Sequence, residues 1–143
     1  MKNNQLMIYG AYGYAGELMV REAVAQGLRP IIAGRDDEKL KPIATELSLE
    51  CRAFGVRNTG SNLQDISVLL NCAGPFSATA EPLARACLAQ QIHYLDITGE
   101  IDIFRKCHAL DEEARQQNVL ILPGAGTDIV PTDCLVAMLK ELS

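Results

Sequence analysis

The sequence predicts an α/β domain, a doubly wound parallel sheet of about six strands with helices on both faces. Three observations predict it: short apolar runs of strand length recur along the chain, stretches with apolar residues at helical spacing separate them, and glycines cluster where several of the runs end. Parallel neighbours cannot be joined by a tight turn, and a helix supplies the crossover they need.

The first apolar run, Leu6-Met7-Ile8, leads into Tyr9-Gly10-Ala11-Tyr12-Gly13-Tyr14-Ala15-Gly16. Leu18, Met19, Val20, Ala23 and Val24 follow at amphipathic-helix spacing. A helix start carries unpaired backbone N–H groups and the positive end of the peptide dipoles, and glycines let a pyrophosphate approach them. The segment therefore reads as a dinucleotide-binding turn, with Gly10, Ala11, Tyr12, Gly13, Tyr14 and Ala15 as cofactor-binding candidates. Its spacing, Gly10-x-x-Gly13-x-x-Gly16, departs by one position from the Gly-x-Gly-x-x-Gly fingerprint. Gly10 is expected to make the tight exit from the strand, Gly13 to let the backbone reach the diphosphate, and Gly16 to let the helix lie close to the sheet. Taken alone, an ordinary glycine-rich strand-to-helix turn would read the same.

The second run, Pro30-Ile31-Ile32-Ala33, ends at Gly34-Arg35-Asp36, about twenty residues past the glycine turn, where the adenosine ribose is read. An NAD site wants a carboxylate accepting from the ribose hydroxyls, whereas an NADP site removes it and supplies a guanidinium for the 2′-phosphate. Gly34 leaves the carboxylate position empty and Arg35 follows it, which favours NADP over NAD. Lys39, one helical turn later, could add a second positive charge to the same phosphate. The alternative is a solvated Arg35 paired with Asp36 or Asp37.

Asp36, Asp37 and Glu38 then open a helix carrying Leu40, Ile43, Ala44 and Leu47, with an N-cap and acids suited to its start. Pro42 either kinks it or marks where it restarts. A third strand is expected at 50–54, a loop at 55–62 and a short helical turn at 63–65. The run Ser67-Val68-Leu69-Leu70-Asn71-Cys72-Ala73 suits a strand covered on both faces and ends in Gly74-Pro75-Phe76. Thr79 is expected to cap the next helix, with Pro82 in its first turn. A fifth strand follows at 93–97. Ile103, Cys107, Leu110 and Ala114 recur at helical spacing and predict one helix before a sixth strand at 119–122. This is the Rossmann-type pattern. Its ligands lie beyond the carboxyl ends of the strands, so the segments at 10–16, 34–35, 71–76, 98–100 and 124–128 should converge on one edge.

The chain of 143 residues, 48% hydrophobic, is sized for one domain spanning 1–143. A net charge of −5 and the lack of a basic run argue against nucleic acid or an anionic membrane as partner. Five cysteines without close pairing fit reduced thiols and a cytoplasmic setting, and there is neither a secretory leader nor an apolar stretch of membrane-spanning length. His93 and His108 stand far apart and no cysteines form a close ligand pair, so no metal site is expected.

Five motifs in order, Gly-Ala-Tyr-Gly-Tyr-Ala-Gly at 10–16, Ala-Gly-Arg at 33–35, Asn-Cys-Ala-Gly-Pro-Phe at 71–76, Tyr-Leu-Asp-Ile-Thr-Gly-Glu at 94–100 and Gly-Ala-Gly-Thr-Asp-Ile-Val-Pro-Thr-Asp at 124–133, give the chain a family likeness. It resembles the amino-terminal domain of saccharopine dehydrogenase-like oxidoreductases, a group that includes saccharopine reductase and the trans-acting enoyl reductases. The resemblance implies the pyrophosphate at Tyr12 to Ala15, the 2′-phosphate at Arg35, and the ribose and nicotinamide half along Asn71, Cys72, Ala73, Gly74 and Pro75. Ala15 stands where the family commonly has threonine, and Ala78 where it often has glycine. Family members also carry a second domain, after an Asp-x-x-Pro segment, that completes the substrate pocket and often the oligomer. That domain is expected to be missing from this chain, and a homodimer is a separate possible partner. This chain stops at Ser143, inside a helix expected from Thr132, so it is either a piece of a longer protein or a stand-alone domain.

Asp96, Glu100, Asp128 and Asp133 lie near the expected functional edge, but helix-entrance roles account for most of them and no catalytic base is assigned. Cys72 reads as lining. The leading function is an NADP-dependent oxidoreductase domain moving a hydride to or from an imine, carbonyl or activated alkene of a small-molecule substrate, with binding but inefficient turnover in isolation. The alternative is a non-catalytic NADP(H) sensor.

Overall fold

A computed structural model describes residues 5–126 and 129–141. Six strands, β1 (Leu6–Tyr9), β2 (Ile31–Gly34), β3 (Cys51–Ala53), β4 (Val68–Asn71), β5 (His93–Asp96) and β6 (Ile121–Leu122), form one sheet in the order β3-β2-β1-β4-β5-β6. Every neighbouring pair is parallel. The order reverses at β1, whose two sides are taken by β2 and β4; in such sheets the crevice at that reversal is where ligands bind.

Side-chain alternation along the strands divides the core between the two faces. Met7, Tyr9, Ile31, Ala33, Leu69 and Tyr94 point to the face covered by helices α3 (Phe76–Ala89), α4 (Ile101–His108) and α5 (Asp111–Gln116), which contribute Leu83, Cys87, Ile103, Cys107 and Ala114 to one apolar cluster. Ile8 and Ile32 point the other way, against Val20 of α1 (Tyr14–Ala25) and Leu40, Ile43 and Ala44 of α2 (Asp37–Leu47). The near-continuous apolar strands of the sequence are thus explained by burial on both faces.

The local chemistry of α2 holds: the Asp36 side chain accepts from the Lys39 N–H at 3.3 Å, and Ser48 ends the helix in a left-handed conformation. Pro42 neither breaks nor restarts it. The proline lies on the exposed side, where the Glu38 carbonyl it leaves without a partner can be hydrated.

Three expectations need correction. Pro75, not Thr79, is the N-cap residue of α3, because the Thr79 hydroxyl turns inward and donates to the Ala73 carbonyl at 2.6 Å; Pro82 therefore falls in the second turn. The helix expected through Ile103, Cys107, Leu110 and Ala114 is two helices, α4 and α5, which keep all four residues buried on one line while the backbone breaks between them at 109–110. The last helix, α6 (Val130–Glu141), starts two residues before Thr132 and buries none of its side chains. Of the expected functional edge, Asp128 lies outside the described residues. Among the described residues no helix is long and apolar enough to cross a membrane.

Candidate functional site

At the β1–β4 reversal the loops leaving β1, β2, β3 and β4 enclose a cleft of about 570 Å³. The glycine turn forms its floor. Gly10 leaves β1 with φ +82°, a conformation that side chains disfavour, and its amide donates to the Ala33 carbonyl at 2.7 Å. A Cβ on Gly10 would stand 2.7 Å from the Ala73 nitrogen, so the absence of a side chain is what lets the turn nest against the loop after β4. Gly16 plays the part expected of it, since a Cβ there would collide with the Gly10 carbonyl. The α1 N-terminus begins at Gly13, which offers no side-chain cap, and the first amide to find a helical carbonyl is that of Glu17. The amides of the first turn are therefore donors left without an intrahelical acceptor.

Arg35 follows the end of β2 on the same rim. Its acidic neighbours are committed to their own helix: Asp36 caps α2 and lies 3.6 Å from Lys39, and Asp37 pairs with Lys41 at 2.6 Å. Among the described residues Arg35 makes no ion pair, which removes the alternative in which Asp36 or Asp37 neutralises it. Among the described residues the only charged ones lining the cleft are Arg35 and Arg57, in a chain of net charge −5. A cleft with a helix start at its edge, two guanidinium groups and, among the described residues, no carboxylate matches a polyanion carrying flat rings.

The cleft brings together Gly10, Tyr12, Gly13, Gly34, Arg35, Cys72, Ala73, Gly74 and Pro75 of the expected site residues. The others do not line it. Ala11 is fully buried beneath the turn, and Tyr14 and Ala15 lie in the first turn of α1, with the Tyr14 side chain exposed. Lys39 stands outside the lining with its ammonium 5.6 Å from the centre of the Tyr12 ring. Asn71 is fully buried and acts underneath: its amide nitrogen donates to Thr79 Oγ1 and to the Tyr94 hydroxyl, both at 3.1 Å, while its oxygen accepts from the Ala73 N–H at 3.0 Å. It holds the loop 73–75 in place from below.

Sequence reasoning missed Tyr9, Gly55, Val56, Arg57, Ala78 and Thr79 among the lining residues. Tyr9 is anchored by its hydroxyl, which donates to the Phe54 carbonyl at 2.9 Å. Burial raises its phenol, the Tyr12 phenol raises it further, and the Arg35 charge offsets part of the rise. Burial, followed by the negative charge of Asp96, pushes the Cys72 thiol up to about 12, which keeps it protonated and supports its reading as lining.

The segments at 98–100 and 124–126 do not enter this cleft; they gather at the end of β5 around Asp96. Its Oδ1 accepts from the Thr98 and Gly124 amides at 3.0 and 2.9 Å, and its Oδ2 accepts from the Tyr94 hydroxyl at 2.8 Å. Asp96 is fully buried, and its oxygens are spent on the fold.

Comparison with known proteins agrees with this fold. The chain is 27% identical to a saccharopine dehydrogenase-like oxidoreductase of Rattus norvegicus, over 90% of this chain and 35% of the relative. It is 24% identical to a lipid droplet localized protein of Caenorhabditis elegans, over 99% of this chain and 37% of the relative. The chain thus spans little more than a third of the length of these curated relatives. The apo saccharopine dehydrogenase (L-Glu forming) of Saccharomyces cerevisiae superposes with a TM-score of 0.74 at 12% identity, over 88% of this chain and 28% of that one, which establishes the shared fold. The family model of the saccharopine dehydrogenase NADP binding domain matches residues 6–122, and the chain therefore belongs to that family, a domain of oxidoreductases whose cofactor is NADP.

Proposed function

We propose that the cleft holds NADP(H) with its diphosphate against the amides of the first turn of α1, its 2′-phosphate on Arg35 with Lys39 nearby, and its ribose and nicotinamide half along Cys72, Ala73, Gly74 and Pro75. The observation that carries this reading is the unneutralised Arg35 guanidinium on the rim of a cleft that has no acidic lining among the described residues. Gly34 supports it, because the position where an NAD site presents a carboxylate is here a glycine against the Tyr12 ring. Asn71 is a positioning residue that fixes the loop 73–75.

The bound cofactor would supply hydride transfer, to or from an imine, carbonyl or activated alkene of a small molecule. The chain's own residues bind and orient it. Tyr9, Tyr12, Cys72 and Thr79 are the hydroxyl- and thiol-bearing side chains of the described lining; the Tyr9 and Thr79 hydroxyls donate to backbone carbonyls and the Cys72 thiol stays protonated. Among the described residues the cleft is lined by no carboxylate or imidazole, and the group that holds substrate and moves its proton is assigned to a further domain, in keeping with relatives nearly three times as long. In isolation the domain binds without efficient turnover.

The test is calorimetric titration of the chain with NADPH and NADH, repeated on Arg35→Ala. NADPH binds more tightly than NADH, and the substitution weakens NADPH by about 1–3 kcal/mol, the scale for lost charge-assisted hydrogen bonds, with NADH little changed. Equal losses for both cofactors would overturn the role given to Arg35.

A further inference from the structure

We propose that Arg57 is the second arm of the 2′-phosphate site, gripping the same phosphate as Arg35 from the neighbouring strand end. The inference rests on the reading of the cleft as an NADP(H) site and adds a specificity-determining residue to it. Strands β2 and β3 pair in parallel, with Gly34 opposite Ala53, and the Phe54 amide donates to the Gly34 carbonyl at 2.8 Å. The chain segments carrying Arg35 and Arg57 therefore leave the sheet side by side, and both residues line the cleft.

The loop that presents Arg57 is built to stay put. Val56 and Arg57 are the central residues of a turn closed by the Asn58 amide on the Gly55 carbonyl at 2.8 Å. Val56 packs against the core, and the Tyr9 hydroxyl holds the Phe54 carbonyl just before the turn. At the far side Arg52 gathers the chain: its Nη1 donates to the Asn62 and Gln64 carbonyls, both at 2.8 Å, and its Nε bonds Glu50 at 2.8 Å. The contrast between the two arginines is the point. Arg52 is spent on carbonyls and a carboxylate, while Arg57, five residues on, is exposed and makes no ion pair among the described residues. Two free guanidinium groups presented from adjacent strand ends suit a shared anion, and a phosphate dianion has oxygens enough to accept from both. A guanidinium laid on the adenine ring would instead serve NADPH and NADH alike, which gives the alternative a separate signature.

The experiment titrates the chain, Arg57→Met, Arg57→Lys, Arg35→Met and the Arg35→Met/Arg57→Met pair with NADPH, NADH, adenosine 2′,5′-bisphosphate and adenosine 5′-monophosphate. Arg57→Met lowers affinity for NADPH and for the bisphosphate about tenfold or more, as expected for a lost charge-assisted contact, and leaves the two ligands lacking the 2′-phosphate unchanged. Arg57→Lys recovers part of the loss. The pair loses a different factor from the product of the single losses, because both groups share one partner. Arg57 has no structural partner to lose, so the melting temperature of Arg57→Met stays at the wild-type value and reports an intact fold. Equal weakening of NADPH and NADH, or no change in either, overturns the proposal while leaving the cofactor reading intact. A wild-type chain that binds NADPH no better than NADH overturns the cofactor reading, and the proposal with it, before any variant is made.

Discussion

The ring of Tyr12 fills the space beside Gly34: a Cβ built on that glycine would lie 2.6 Å from Tyr12 Cε1. The glycine turn after β1 and the strand end at β2 are thus locked together by an aromatic ring standing where a carboxylate would have to pass. On the proposed reading, cofactor preference has a steric part as well as an electrostatic one, since an acid at position 34 would meet the ring and also sit next to Arg35.

Gly34→Asp should therefore fail to convert the domain to NADH. The expected outcome by titration is an NADPH affinity lowered about tenfold or more, through displacement of Tyr12 and partial neutralisation of Arg35, with no gain for NADH. Adding Tyr12→Ala makes room for the new side chain, and NADH binding then improves relative to the single variant. An NADH affinity that rises in Gly34→Asp alone would contradict the role given to the ring.

Asp96 has been described as structural, and its replacement separates stability from binding. Asp96→Ala leaves the Thr98 and Gly124 amides and the Tyr94 hydroxyl without their acceptor inside the core. The loss should reach about 3 kcal/mol or more, at the scale of buried donors left unpaired, and appear as a lower urea midpoint. Cofactor affinity of the folded fraction should stay close to wild type, because Asp96 does not line the cleft. A selective loss of binding at unchanged stability would place Asp96 in the site instead.

Three buried thiols set an alkaline limit. Burial pushes Cys72 and Cys87 up to about 12 and Cys107 up to about 11, with the charge of Asp96 adding to the first and last. Unfolded thiols ionise near about 8.5, so above that pH the folded state holds more protons than the unfolded one. Stability is fully present below that pH and is lost as pH climbs toward the folded values, by at most about 1.4 kcal/mol per pH unit for each thiol. Urea unfolding of wild type and Cys87→Ala between pH 8 and 11 checks the sign: the stability gap between them should narrow as pH rises. A constant gap would contradict it.

How far the sequence foretold the molecule depends on the kind of signal. Strand identity and the parallel sheet were legible because burial on both faces forces unbroken apolar runs such as Val68-Leu69-Leu70, and the glycine turn was legible because Gly10 and Gly16 answer to steric demands that no other residue meets. The break between α4 and α5 escaped because Ile103, Cys107, Leu110 and Ala114 keep their spacing across it. A charge signal was available, since Arg105, Lys106 and His108 close one helix and Asp111, Glu112 and Glu113 open the next, as opposite helix ends prefer. Thr79 was misjudged as a cap because its real partners, Asn71 and the Ala73 carbonyl, are set by tertiary packing. Arg57 was missed because a loop has no periodicity; only the adjacency of β3 to β2 brings it to the cleft.

In the proposed complex the amides opening α1 hold the diphosphate of the cofactor. Backbone amide chemical shifts of the isotopically labelled chain, followed by NMR as NADPH is added, test it residue by residue. The largest shifts are expected at Tyr12, Gly13, Tyr14, Ala15 and Arg35 and at 72–74, with the α5–β6 side of the molecule unmoved. Shifts concentrated along α5 and β6, with the glycine turn silent, would contradict it.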